Sequence, residues 1–270
     1  MNIFYNNYME LFLNRVAFNL FGLDIYWYGI IISFAILVAY LVSLYLIKVR
    51  GLDKDFSFDV LISAVPLGIV FARLAAVLFD SGLSITDFFN FRSGGMSIIG
   101  AIIGGVIGLV ILKFVKKRSL LESFDLIATV VILSQGIGRW GNYFNNEIYG
   151  QLITNPSFQF FPFAVQIGGE YYEALFFYEF VLNIIGFIIL FILYNKVKIR
   201  GVVASSYLIY YGTIRTILET RRAEKYILRI FGAPFSIICS VIMIVAGISL
   251  LTFVLVKNYK KKNLEKHNGR

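Results

Sequence analysis

The sequence predicts an all-α polytopic membrane protein of about seven transmembrane helices, with its N-terminus outside, its C-terminus cytoplasmic and a small extracytoplasmic insert. Three observations carry that reading. Of the 270 residues 59% are hydrophobic and only 15% charged, with a mean hydropathy of +0.78, whereas a soluble domain carries roughly 45–50% apolar and about 25% charged residues. The apolar residues form runs that match the roughly 20 residues a helix needs to cross the hydrocarbon core. The basic residues are divided unequally between alternate connections.

The runs lie at about 25–47, 59–79, 95–115, 124–141, 173–194, 202–218 and 230–256. The first ends at Lys48, Arg50 and Lys54, the third at Lys113, Lys116, Lys117 and Arg118, and the fifth at Lys196, Lys198 and Arg200. The seventh ends in a tail with Lys257, Lys260, Lys261, Lys262, Lys266 and Arg270. The opposite connections hold fewer, namely Arg15, Arg92, Arg221, Arg222, Lys225 and Arg229. Basic connections stay on the cytoplasmic side, so the N-terminus is expected outside. Residues 1–256 read as one membrane-embedded domain and 257–270 as a basic cytoplasmic tail. Much of the net charge of +9 therefore lies beside anionic lipid, and no nucleic-acid binding is expected.

The stretch ahead of Tyr26 lacks the basic, apolar and small-residue zones of a cleaved signal peptide. With Phe4, Phe12, Val16, Phe18 and Phe21 among polar residues, it is expected to lie along the outer interface as an amphipathic helix. The insert at about 142–172, with Phe158, Phe160, Phe161 and Phe163, reads as a small head or a membrane-dipping element.

Cys239 is the one cysteine, which excludes an intramolecular disulfide, and the one histidine, His267, lies in the tail. Histidine-based metal sites and Ser-His or Cys-His dyads are thereby excluded. Chemistry falls to carboxylates, arginines, tyrosines, amides and backbone. Charges at membrane depth cost at least ~2.5–3.5 kcal/mol each, which marks them as functional candidates. Here they are Arg73, Asp125, Arg139, Glu147, Glu179, Arg215 and Glu219, with Gln135, Asn142, Asn145, Asn146, Tyr28 and Tyr178 as polar companions.

The densest stretch runs from Gln135 to Gly150. Gly136, Gly138 and Gly141 let the backbone bend or approach a ligand, and Arg139 offers a planar fork matched to phosphate oxygens. The segment reads as an anion site or as a helix-packing patch in which Arg139 pairs with Glu147. In a second cluster, Tyr210 to Arg222, Arg215 and Glu219 share a helix face at i, i+4 and either neutralise each other or belong to a site. Arg221 and Arg222 read as interfacial. On physical grounds alone Trp27-Tyr28-Gly29 reads as an aromatic belt. Gly94, Gly95, Gly100, Gly104, Gly105 and Gly108 read as a small-residue packing face, and Asp125 either faces a cavity or caps the fourth span.

Together these residues resemble the prolipoprotein diacylglyceryl transferase family. Gly138-Arg139-Trp140-Gly141-Asn142-Tyr143-Phe144-Asn145-Asn146-Glu147-Ile148-Tyr149-Gly150 is similar to the signature G-R-x-G-N-F-x-N-x-E-x-x-G, with Phe changed to Tyr. Trp27-Tyr28-Gly29, Ala72-Arg73, Gly94-Gly95-Met96-Ser97, Asp125-Leu126-Ile127-Ala128, Phe177-Tyr178-Glu179 and Tyr211-Gly212 through Arg215 to Glu219 resemble further blocks, in family order over nearly the whole chain. The resemblance implies a bacterial cytoplasmic-membrane enzyme that moves the diacylglyceryl group of phosphatidylglycerol to the lipobox cysteine thiol of a preprolipoprotein signal peptide. A thioether forms and glycerol 1-phosphate is released. Arg139 and Arg215 would hold the lipid phosphate, with Glu147 and Glu219 as further catalytic-site residues. Asn142 and Gly150 would help fix that site, Tyr28 would bond near the head group, and Arg73 and Asp125 would support the frame. No metal or organic cofactor is expected.

Three blocks depart from the pattern. A histidine that many members carry after G-G-M-S, the favoured base, is replaced here by Ile99; Glu173-Ala174 stands for H-P; and the ending E-x-x-R-x-P-D is missing after Glu219. A thiol of pKa ~8.5 is only a few per cent ionised at neutral pH. Its proton would pass to Glu147 or another carboxylate made more basic by burial, or else arginine charge would lower the thiol pKa and the departing phosphate would take the proton. The second route is preferred, because Arg139 and Arg215 are expected to keep Glu147 ionised and poorly basic. An inactive lipid-binding paralogue and a transporter of an anionic solute are the competing readings.

Overall fold

The computed structural model describes residues 15–79, 82–90, 95–230 and 232–268. A hairpin of β1 (Val16–Leu20) and β2 (Leu23–Tyr26) leads into α1 (Trp27–Arg50), followed by α2 (Phe56–Phe79), α3 (Ile98–Val115) and α4 (Leu120–Phe144). A second antiparallel hairpin, β3 (Ala164–Ile167) with β4 (Glu170–Glu173), precedes α5 (Leu175–Lys196) and α6 (Val202–Glu219). The short pair β5 (Arg229–Ile230) and β6 (Ala233–Pro234) then leads into α7 (Phe235–Asn268).

Each of the seven apolar runs forms a helix, and six of these among the described residues are long and apolar enough to cross a membrane. The chain is thus a multi-pass, largely helical membrane protein. The helix outside that set is α6, which carries Ser205, Ser206, Thr213, Arg215, Thr216 and Glu219.

Ahead of α1 the structure departs from the expected amphipathic helix. The chain turns at Phe21 and Gly22, both in the left-handed region at φ 51 and 80. Asn19 fastens this turn, its side chain accepting from the Gly22 amide at 2.9 Å and donating to Asp24 at 2.8 Å. A left-handed pair between two alternating apolar stretches specifies a hairpin. Phe4 and Phe12, part of the same expectation, lie outside the described residues.

The chain divides into two compact units, one of residues 43–126 and the other made of the described residues up to Val42 and from Ile127 onward. In the first, α3 lies directly against α2. A Cβ at Gly100, Gly104 or Gly108 would collide with the carbonyl of Phe71, Leu67 or Ser63, so these glycines serve packing. Gly94 lies outside the described residues. Buried Arg73 donates to the carbonyls of Gly95 at 2.8 Å, Asp87 at 2.6 Å and Asn90 at 2.7 Å, tying down the connection after α2. At the end of α1, Arg50 pairs with Glu122 at 2.5 Å and Asp125 at 3.2 Å. Because α4 begins at Leu120, Asp125 sits in its second turn as a fully buried ion-pair partner. It does not cap the helix.

In the other unit the glycines again set helix distances. A Cβ at Gly212 of α6 would lie 2.8 Å from the Ser240 carbonyl of α7, and one at Gly247 of α7 would lie 2.9 Å from that of Ser205. Gly136 admits Asn183 of α5, and Gly141 admits the Tyr28 ring, whose Cδ2 would stand 2.6 Å from an added Cβ. Gly136 and Gly141 therefore let neighbouring helices approach α4, which stays helical to Phe144.

Gly104→Ala, which forces a methyl against backbone, is expected to cost about 1–3 kcal/mol. Gly105→Ala, whose Cβ would stand 3.9 Å from the Ala64 carbonyl, should be neutral or stabilising. Thermal unfolding of the two variants in the same detergent tests this contrast.

Candidate functional site

Arg139 lies in the last two turns of α4, Glu179 in the second turn of α5, and Arg215 and Glu219 in the last two turns of α6. The helices bring these positions into one buried chain of charges. Arg139 Nε pairs with Glu179 Oε2, while Glu179 Oε1 accepts from Arg215 Nη1 at 2.5 Å. Arg215 Nη2 reaches Glu219 Oε2 at 3.3 Å, and Arg222 Nε reaches the same oxygen at 3.5 Å. Desolvation is tolerable only where buried ions are paired in this way. Arg139 Nη2 also donates to the Tyr211 hydroxyl at 3.4 Å, and Tyr211 stacks on Tyr207. Next to Arg139, Trp140 packs edge-on against Phe176 and Phe180 of α5, which fixes the two helices beside the ion pair.

Glu147 is held differently. The chain folds back after α4, with Asn146 and Ile148 in the left-handed region at φ 51 and 57. The Glu147 amide donates to the Asn142 carbonyl at 3.0 Å. Its carboxylate accepts from the side-chain amides of Asn142 at 3.2 Å and Asn145 at 3.3 Å, and among the described residues it enters no ion pair. The Tyr28 phenol lies within electrostatic reach of both Glu147 and Arg139.

The segment beyond Glu147 is bound to the one beyond α6. Gly150 bridges to Arg222, the Ala223 amide donates to the Tyr149 carbonyl at 3.2 Å, and Gln151 donates to the Thr220 carbonyl at 3.1 Å. Lys225 closes this junction, donating to the Tyr149 hydroxyl and lying 4.5 Å and 5.0 Å from the ring centres of Tyr149 and Tyr226. That hydrogen bond holds the Tyr149 phenol below its ordinary value and the Lys225 ammonium above its own. An added Cβ at Gly150 would stand 2.6 Å from the Glu173 Cβ, so only glycine fits between these strands.

Of the residues expected at a site, the structure joins Arg139, Arg215 and Glu219, and sets Asn142 and Tyr28 beside Glu147. The expected alternative of an Arg139–Glu147 pair gives way to Arg139–Glu179. Arg222 also differs from its interfacial reading: its side chain is only 10% exposed against 61% for Arg221, and it contacts Glu219. The i, i+3 spacing of Glu219 and Arg222 is the signal that identifies it. Glu179 has no charged neighbour within a helical turn in sequence, and its place between the arginines emerges only from the fold. Arg73 and Asp125 belong to the other unit, where carbonyls and Arg50 hold them.

The family model for prolipoprotein diacylglyceryl transferase matches residues 15–253. A phosphatidylglycerol–prolipoprotein diacylglyceryl transferase of Clostridium novyi is 35% identical over 253 residues, 91% of this chain and 98% of that protein. One from Finegoldia magna is 34% identical over 254 residues, covering 93% and 97% respectively, and one from Listeria innocua is 34% identical over 255 residues, covering 91% of each.

The Lys225 junction has a pH signature. A lowered Tyr149 value adds stability as pH rises from that lowered value up to the ordinary tyrosine value near 10, where the gain is complete, whereas the raised Lys225 value keeps its contribution until the ammonium discharges, above about 10.5. In an ultraviolet titration one tyrosine should ionise ahead of the rest, and Lys225→Met should abolish that early step. An unchanged curve would remove the basis for this latch.

Proposed function

The chain belongs to the prolipoprotein diacylglyceryl transferase family, and from that premise we propose that it transfers the diacylglyceryl group of phosphatidylglycerol to the lipobox cysteine of preprolipoproteins. The observation that carries this reading is the buried chain Arg139, Glu179, Arg215, Glu219 and Arg222. A fixed pair of guanidinium forks suits a phosphodiester at membrane depth.

In this reading α6 also crosses the membrane, shielded by α5 and α7, which makes seven spans, and the N-terminus faces outward. The charge chain lies at the end of α5 opposite Lys196, which sets it toward the outer leaflet of a bacterial cytoplasmic membrane in this reading. The exposed Phe158, Phe160, Phe161 and Phe163 of the 142–172 insert dip into that interface. Residues 257–270 act as the basic cytoplasmic end of one membrane-embedded catalytic domain.

The thiolate sulfur attacks the glyceryl carbon that bears the phosphate ester. The C–S bond forms as the C–O bond breaks, and glycerol 1-phosphate leaves with the electron pair. Arg139 and Arg215 donate to the phosphate oxygens and offset the charge that gathers there. Glu219 holds Arg215 and Arg222, Gly150 seats Arg222, and Tyr28 bonds near the head group. Arg73 and Asp125 hold the frame of their own unit.

Glu147 takes the thiol proton. The sequence-based preference for direct transfer to phosphate assumes that Arg139 and Arg215 hold Glu147. Those arginines hold Glu179 instead, and Glu147 rests on two neutral amides. Ile99, at the position of the family histidine, has no proton acceptor.

With phosphatidylglycerol vesicles and a lipobox peptide, Arg139→Ala or Arg215→Ala should lower transfer about 10²–10³-fold. A peptide with serine for cysteine should gain no mass. Glu147→Gln should lose about 10²-fold or more at pH 7 and recover as the pH passes the thiol value of about 8.5. Failure to recover would assign the proton elsewhere.

A further inference from the structure

The ion-paired chain sets three guanidiniums against two carboxylates, leaving one positive charge. Glu179, only 3% exposed, is the member that both phosphate-binding arginines share. Each of its oxygens occupies a donor position that a phosphate oxygen would otherwise use. The Arg139 and Arg215 side chains remain 16% and 15% exposed, and Arg139 Nη1 has no hydrogen-bond partner among the described residues. The forks are therefore partly engaged from within and partly open.

A phosphodiester brings one negative charge and neutralises such a chain. A phosphomonoester brings nearly two above its second pKa of about 6, and the excess would stay uncompensated in a poorly solvated site. The cost of that excess rises steeply with charge. Glu147, on its amides beside Tyr28, adds negative charge and works in the same direction.

We propose that Glu179 is a specificity-determining counter-ion, which withholds one donor from each arginine and one unit of charge from the pair, so that the site accepts a phosphodiester monoanion and rejects a phosphomonoester dianion. The inference rests on the reading that Arg139 and Arg215 hold the lipid phosphate. It gives Glu179 a part in turnover as well as selection, because the substrate is a diester and the glycerol 1-phosphate released is a monoester. The residue that admits the one expels the other.

The test measures binding of phosphatidylglycerol and of phosphatidic acid with the same acyl chains, at pH 8, to the full chain in detergent. The intact protein should prefer phosphatidylglycerol by about tenfold or more, since one unit charge at a few ångströms is worth at least that. Glu179→Gln should erase or reverse the preference and tighten inhibition by glycerol 1-phosphate about tenfold. Glu179→Asp, which keeps the charge, should keep the preference even if its shorter reach slows transfer. A merely structural role would weaken both lipids alike in both variants.

An unaltered preference in Glu179→Gln, or equal binding of the two lipids by the intact protein, would overturn the proposal. If neither variant folds, the intact protein's ratio decides. Transfer by the intact protein with no change of ratio in Glu179→Gln refutes the counter-ion alone. Selective binding without any transfer refutes the transferase reading and leaves the counter-ion standing.

Discussion

Two buried guanidiniums on separate helices repel each other and lose water, and a carboxylate between them is what makes their burial tolerable. Glu179 meets that requirement for Arg139 and Arg215, as Glu219 does for Arg215 and Arg222. Desolvation of each ion costs several kcal/mol, so the pairs must be kept at contact distance. The packing of this unit follows from that demand. Gly136 and Gly186 let α4, α5 and α6 approach closely, and Gly212 with Gly247 locks α6 onto α7.

Loops complete what the helices begin. The left-handed residues Asn146 and Ile148 return Glu147 to Asn142, and the bridge from Gly150 to Arg222 ties this turn to the end of α6. Lys225 fastens that junction among Tyr149 and Tyr226. The turn that carries Glu147 and the end of α6 that carries Glu219 are thus joined by one short stretch of backbone, each with its own support.

The helices were legible because long apolar runs admit few other structures in lipid. Their edges followed from Lys48, Arg50 and Lys196, which mark the last turns. The N-terminal hairpin was not legible: a short stretch with scattered Phe and Val satisfies a helical and a strand pattern alike, and the Phe21-Gly22 turn decides between them. Within the site, Arg139, Arg215 and Glu219 were readable from the cost of burying charge. Their pairing was readable only where partners are close in sequence, as with Arg215 and Glu219. Glu179 and Arg139 are brought together by tertiary packing, which no local spacing encodes. The signature glycines were ambiguous for the same reason, since the neighbours they admit lie on other helices.

Helix α7 runs for 34 residues, about 51 Å at 1.5 Å per residue, whereas a bilayer's hydrocarbon is only about 30 Å thick. Its C-terminal part, with Lys257, Lys260, Lys261 and Lys262, continues as helix instead of unravelling. A rod whose greasy length and cationic foot are rigidly joined resists vertical sliding, much as a keel fixes a hull's draught. Because the more polar α6 is clasped to it through Gly212 and Gly247, the depth of Arg215 is set by a neighbour. Lengthening or shortening the apolar part of α7 would therefore raise or lower Arg215 without touching any of its ion-pair partners.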